Sequence, residues 1–254
     1  MALTLGSPNL PGNVQYVHRT GRILLLCLLP YFALGIGDGF FLAQLVRHPP
    51  QFWLYDVTKF VFIPAAYLLV FHRYFHIHSS AYLYTDRAVD YQGWEWLGVT
   101  FLSVVLLDVI YFMAYPVAAV LLIAPIALVR WFLSLWLDLP AYGAIFDYSL
   151  ALPDDRLLRA VVAIFFSITA GVVEEIFFRG LLRQAISALL GPRAVKTYII
   201  SSALIFGLAH WEQGPIGLTN ATAFGLCAAW LYLKLGDLRP VILAHTLIDL
   251  YIYW

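Results

Sequence analysis

Apolar residues run through this chain in long blocks, and the polar positions gather between the blocks rather than alternating with them. A helix needs about 20 apolar residues to cross hydrocarbon. On that measure the pattern predicts membrane spans at 22–46, 57–76, 94–115, from Pro116 to about Trp136, and at 157–178, 194–211, 216–235 and 241–254, the last of them short. The first span is interrupted by Gly35, Gly37, Asp38 and Gly39. His48-Pro49-Pro50, Gly191-Pro192, Gly214-Pro215, and Gly236-Asp237 with Pro240 mark turns between blocks. Residues 1–20 are expected as a short flexible tail, 73–92 as a loop holding His76, His78, Asp86, Arg87 and Asp90, and 138–156 as the longest polar connection. Spanning strands need alternating polarity and a closed barrel, and the chain has no such alternation. The fold class is therefore all-α: a polytopic helix bundle of about eight transmembrane helices. It reads as a single integral membrane domain over 1–254, with N-terminal spans at 22–156 and a core at 157–254.

Composition agrees. Hydrophobic residues make up 62% of the 254 positions and charged residues only 12%, where a soluble domain carries about a quarter charged. The formal net charge is zero, and nothing in it points to nucleic acid. Cys27 and Cys227 lie inside apolar runs and read as buried small hydrophobes rather than a disulfide. The first apolar run is too long for the core of a signal peptide, so it is expected as a retained span. With eight spans and the N-terminus inside, Arg19, Arg22, Arg73, Arg87, Arg130, Arg156 and Arg159 fall on one side. Arg47, Lys59, Arg183, Arg193, Lys196, Lys234 and Arg239 fall on the other, and the positive-inside rule gives a tie. Ser167 with Gly171, and Ala221 with Gly225 and Ala229, form small-residue faces that let helices approach closely.

The polar chemistry gathers in the second half. Glu174, Glu175 and Arg179 end one span, His210 ends the next, and His245 with Asp249 lies in the last. A central charged residue costs roughly 2.5–3.5 kcal/mol in a membrane helix, so these groups face protein or water. Residues four apart share a helix face, which lets Glu175 pair with Arg179 and lets His245 and Asp249 point into one cavity. Singly, each has a structural reading: an interfacial ion pair, a satisfied histidine, a hydrogen-bonded pair. Asn220 reads as helix glue or a cap, and Asp38 and Asp108 as paired structural residues. Together the groups suit hydrolysis. A carboxylate beside a histidine holds and deprotonates water, and a second histidine stabilises the resulting oxyanion. The same side chains, Glu174, His210 and His245, are alternatively ligands for a divalent metal such as zinc that activates the water.

The segments EEIFFRG at 174–180, FGLAH at 206–210 and HTLID at 245–249 resemble the CPBP family, the type II CAAX prenyl proteases and the bacteriocin-processing or self-immunity (Abi) proteins. That family carries EExxxR, FxxxH, and HxxxN or HxxxD on successive membrane helices. The resemblance covers 157 to the C-terminus. It implies an intramembrane endopeptidase, multi-pass in the membrane and surrounded by lipid. Its substrate would be a membrane-anchored or lipidated protein or peptide, cut near the C-terminus. By matching positions, Glu174 is the general base, His210 helps hold the water, and His245 and Asp249 take the oxyanion-stabilising positions. Glu175 and Arg179 support them and Phe206 packs alongside. The prenyl-protease branch typically has Asn where this chain has Asp249; an ionised Asp there would repel an oxyanion, so Asp249 is expected to be protonated, paired to His245, or a metal ligand. The resemblance permits a glutamic or a metal-dependent protease; the lack of a compact motif such as HExxH favours the glutamic form, with no certain cofactor. The alternative is a non-enzymatic immunity or peptide-binding membrane protein of the same fold.

Overall fold

The computed structural model describes residues 11–75, 77, 79–85, 94–118 and 151–254. Among the described residues the chain is helical, its only β feature an isolated bridge between Tyr84 and Asp237. The helices are α1 (Pro11–Gly37), α2 (Leu42–Leu45), α3 (Pro49–Val57), α4 (Ile63–Phe75), α5 (Ser79–Leu83), α6 (Trp94–Ala118), α7 (Arg156–Glu174), α8 (Leu182–Leu190), α9 (Val195–Leu208), α10 (Gly214–Leu235) and α11 (Arg239–Tyr253). Two wider, π-helical stretches, Thr58–Phe62 and Glu175–Leu181, join α3 to α4 and α7 to α8 without a break in direction. Five stretches among the described residues are long and apolar enough to cross a membrane: Thr20–Phe40, Pro49–Tyr74, Trp94–Tyr111, Arg156–Leu190 and Trp211–Leu235. Val195–Leu208 is a shorter apolar helix. The chain is thus a polytopic helical bundle, as its hydrophobic pattern predicts.

Element boundaries depart from the sequence reading in instructive ways. Residues 11–20 of the expected flexible tail are helical, because α1 begins at Pro11, a residue suited to the first helical position. The first span ends early: α1 stops at Gly37, and a 3-10 turn over Asp38–Phe40 leads into the one-turn α2. Pro49 and Pro50 open α3 rather than ending in a turn, so the second span starts some eight residues before 57. Within 73–92, Ser79–Leu83 is helical and the chain then pairs with the α10–α11 turn: Thr85 N–H donates to the Gly236 carbonyl and Leu238 N–H to the Leu83 carbonyl, both at 2.8 Å. His76, His78, Asp86, Arg87, Asp90, Arg130 and the part of the expected fourth span that follows Ala118 lie outside the described residues. Gly236 adopts a left-handed conformation (φ 72°) that ends α10, a position suited to glycine.

Small residues set how close the core helices come. A Cβ added at Gly171 on α7 would sit 2.8 Å from the Thr246 backbone nitrogen of α11. One added at Gly225 on α10 would sit 3.0 Å from the Ala203 Cα of α9. Around these contacts lies a core rich in aromatics, with Phe177, Phe178, Phe206, Phe224 and Tyr232 buried together.

The bundle sorts its charges by end. At one end Trp211 Nε1 donates to the Ile36 carbonyl at 2.6 Å, tying the finish of α1 to the finish of α9. That end also holds the start of α3, the start of α7 and the close of α11. At the other, Gly21 meets Ala188, and α5 meets the α10–α11 turn. Tyr111 of α6 and Phe166 of α7 line one cavity with Tyr253, so the far half of α6 and the near half of α7 share an end. The alternation behind the sequence tie therefore does not hold. Among the described side chains, Arg22, Arg73, Arg183, Arg193, Lys196, Lys234 and Arg239 stand at one end, hereafter the basic end. Arg47, Lys59, Arg156 and Arg159 stand at the other with Asp38, Asp56, Asp154, Asp155 and Glu212, the acidic end.

Two expectations follow from this arrangement. The positive-inside rule assigns the basic end to the cytoplasm. In a Cys27→Ala, Cys227→Ala background, Arg47→Cys should react with a membrane-impermeant maleimide in intact cells and Lys196→Cys only after lysis; the opposite pattern refutes the assignment. Gly171→Ala should lower stability by about 1–3 kcal/mol, through overpacking. Gly98→Ala, where a Cβ meets nothing within 4 Å, should leave it unchanged or raise it by up to about 1 kcal/mol. Thermal unfolding in detergent compares the two.

Candidate active site

The site is built on the π-helical turn after α7. Asp155 caps α7, accepting from Leu158 N–H at 2.8 Å, and the helix then runs apolar to Glu174. At Glu175 it widens, and such π turns recur at functional sites. The wide turn finds a partner across the bundle, where Ser202 Oγ–H donates to the Phe178 carbonyl at 2.9 Å. Glu174 and Glu175, adjacent in sequence, point different ways: Glu174 lines a cavity of about 290 Å³, while Glu175 lies behind it with no solvent exposure.

Behind the cavity wall the charges are paired. Arg179 Nη1 stands 3.1 Å from Glu175 Oε1, both side chains fully buried, as the i, i+4 spacing predicts. The Glu175 carboxylate also accepts from His245 Nδ1 at 2.8 Å. One buried carboxylate thus holds a guanidinium from its own helix and an imidazole from α11. Arg179 lies 4.1 Å from the Phe206 ring centroid, a cation–π contact that helps hold a buried cation. Phe206 in turn packs on His210, ring centroids 4.5 Å apart, and Phe224 packs on His245 at 4.7 Å.

In front of the wall, Glu174, His210, His245 and Asp249 line the one cavity. His210 Nδ1 lies 2.8 Å from the Phe206 carbonyl, which can only accept, so Nδ1 carries the proton and a neutral ring keeps a lone pair at Nε2. With Nδ1 of His245 donating to Glu175, its Nε2 faces the cavity, 3.9 Å from Glu174 and 3.6 Å from Asp249. Asp249 is therefore paired with His245 across one helical turn. Asn220 is buried, and its side-chain oxygen has no hydrogen-bond partner among the described residues. No three His, Cys, Asp or Glu side chains among the described residues stand where they could share a metal ion. The set Glu174, His210 and His245 does not converge on one metal position.

The cavity has walls that sequence reasoning left out. Asp56 and Lys59 line it from α3 and the following π turn, and Glu212 and Gln213 line it from the turn after α9. Lys59 is ion-paired with Asp38, which also accepts from the Tyr55 hydroxyl. Asp38, given no role in the sequence, is thus the counter-charge of a cavity lysine. The signal for this wall is the close spacing of Tyr55, Asp56 and Lys59, which share one continuous helical stretch only when that stretch begins at Pro49. Tyr111 of α6 and Tyr253 of α11 complete the rim.

Comparison with known proteins bears on the same half of the chain. Neither the curated proteins nor the solved structures compared with it gave a match. One family model does match, over residues 156–251, the stretch from the start of α7 through Tyr251 of α11 that carries Glu174, His210, His245 and Asp249. Its description is type II CAAX prenyl endopeptidase Rce1-like, so this part of the chain is similar to that family of membrane proteases, the group its motifs resemble.

Proposed function

We propose that the protein is an intramembrane endopeptidase of glutamic type, hydrolysing a peptide bond near the C-terminus of a membrane-anchored or lipidated, CAAX-like protein or peptide. The observation that carries this reading is the meeting of Glu174, His210 and His245, from three different helices, around one cavity inside the bundle. A water between Glu174 and the lone pair of His210 Nε2 would donate to both. Glu174 takes its proton as the water oxygen attacks the scissile carbonyl. A protonated His245 Nε2 donates to the developing oxyanion, and Glu175 holds the ring in register from behind. Asp249 stands beside that donor; as a carboxylate its place is the counter-charge of His245, and as a carboxylic acid it adds a second donor to the oxyanion. The proton on Glu174 then passes to the leaving amine, which restores the carboxylate.

Glu174→Ala should reduce cleavage of a membrane-anchored or prenylated CAAX-like reporter by about 10²–10⁴-fold, with the thermal midpoint in detergent close to wild type. Full biological activity in that variant would instead support an immunity or peptide-binding role. A chelator should leave cleavage intact; loss that zinc restores would replace the Glu–His scheme with a metal-dependent one. Glu175→Ala should behave differently from Glu174→Ala: it strands Arg179 in the core and should cost about 3–5 kcal/mol, seen as a large fall in thermal midpoint.

A further inference from the structure

A second cavity, of about 490 Å³, lies at the basic end between α8, α9 and the close of α10. We propose that it binds a phosphate group, carried by a phospholipid headgroup or as free phosphate. Arg183, Ser187, Tyr198, Trp230, Leu233 and Lys234 line it. Arg183 stands 5.8 Å from the Tyr232 ring centroid and Lys234 stands 5.9 Å from that of Trp230. Among the described residues neither cation has an ion-pair partner, although every other cation that faces a cavity here has one: Lys59 has Asp38. Arg183 presents a planar fork and Lys234 a point charge, a combination suited to phosphate oxygens.

The second observation is independent of the charges. Tyr198 is buried, 2% exposed, and lines this cavity, yet its hydroxyl has no hydrogen-bond partner among the described residues. An orphaned buried hydroxyl is costly, and an acceptor in the cavity removes that cost. Two cations with an unmet hydroxyl donor beside them describe an anion carrying several oxygens. The surroundings favour a headgroup: Trp230 and Leu233 supply apolar surface beside the cations, and basic pockets between membrane helices take anionic lipid headgroups. This site stands on the far end of α9 from His210, and its occupancy does not depend on proteolysis.

Native mass spectrometry of the detergent-solubilised protein tests the assignment, with phosphatidylglycerol and phosphatidylcholine supplied at equal concentration. Phosphatidylglycerol should be retained at least about fivefold more often, the anionic headgroup meeting cations that phosphatidylcholine, with its own positive charge, cannot neutralise. Arg183→Ala with Lys234→Ala should remove the preference. Tyr198→Phe keeps the ring and should weaken retention by about tenfold, the loss of one hydrogen bond to a charged group. Inorganic phosphate separates the two sources. If millimolar phosphate displaces the lipid and raises the thermal midpoint of wild type but not of the double variant, the ligand is free phosphate. If it does neither while the lipid preference holds, the ligand is the headgroup. Equal retention of both lipids with no effect of phosphate, or a preference untouched by all three substitutions, overturns the proposal.

Discussion

The site depends on one buried carboxylate. Glu175 neutralises Arg179 on its own helix and holds His245 from α11, with Glu175 and Arg179 fully buried and His245 nearly so. In an apolar interior an isolated charge is costly enough that one unpaired member would unfold the surroundings. The three groups therefore fix one another, and with them the relation of α7 to α11. The close approach of Gly171 to Thr246, one turn below on the same pair of helices, acts in the same direction. Together they leave His245 Nε2 aimed at Glu174 and Asp249 rather than free to turn.

The polar wall and the aromatic packing serve one end. Phe206 touches Arg179 on one side and His210 on the other, and its carbonyl fixes the proton of His210 on Nδ1. Phe224 does the comparable packing for His245. The FxxxH motif is thus a mechanical unit: the phenylalanine seats the guanidinium, and the histidine four residues on presents a lone pair to the cavity. A side chain so positioned gives up little entropy when a substrate arrives.

How much of this was legible in the chain depends on which interactions are local. Glu175–Arg179 and His245–Asp249 follow from a spacing of four, and the membrane setting follows from the length of the apolar blocks. That three separate helices meet at one cavity was an inference from chemistry rather than from spacing. Asp56 and Lys59 are not legible as cavity residues, because the Lys59–Asp38 pair crosses a turn and because Pro49-Pro50, a turn signal, begins the helix that leads to them. The tail was misjudged for a similar reason: polar residues after Pro11 continue a helix whose apolar part starts later. The charge tie arose from assuming one crossing between α6 and α7, and only the shared rim of Tyr111, Phe166 and Tyr253 shows that they meet at one end.

Helix α9 joins features that are otherwise far apart. Tyr198 lies near its start and His210 just past its finish, roughly 20 Å along one stiff rod. Small residues seat that rod against α10, where Gly225 meets Ala203, and Ser202 ties it to the Phe178 carbonyl. One helix thus sets the spacing between the two places, which no loop would hold so constant.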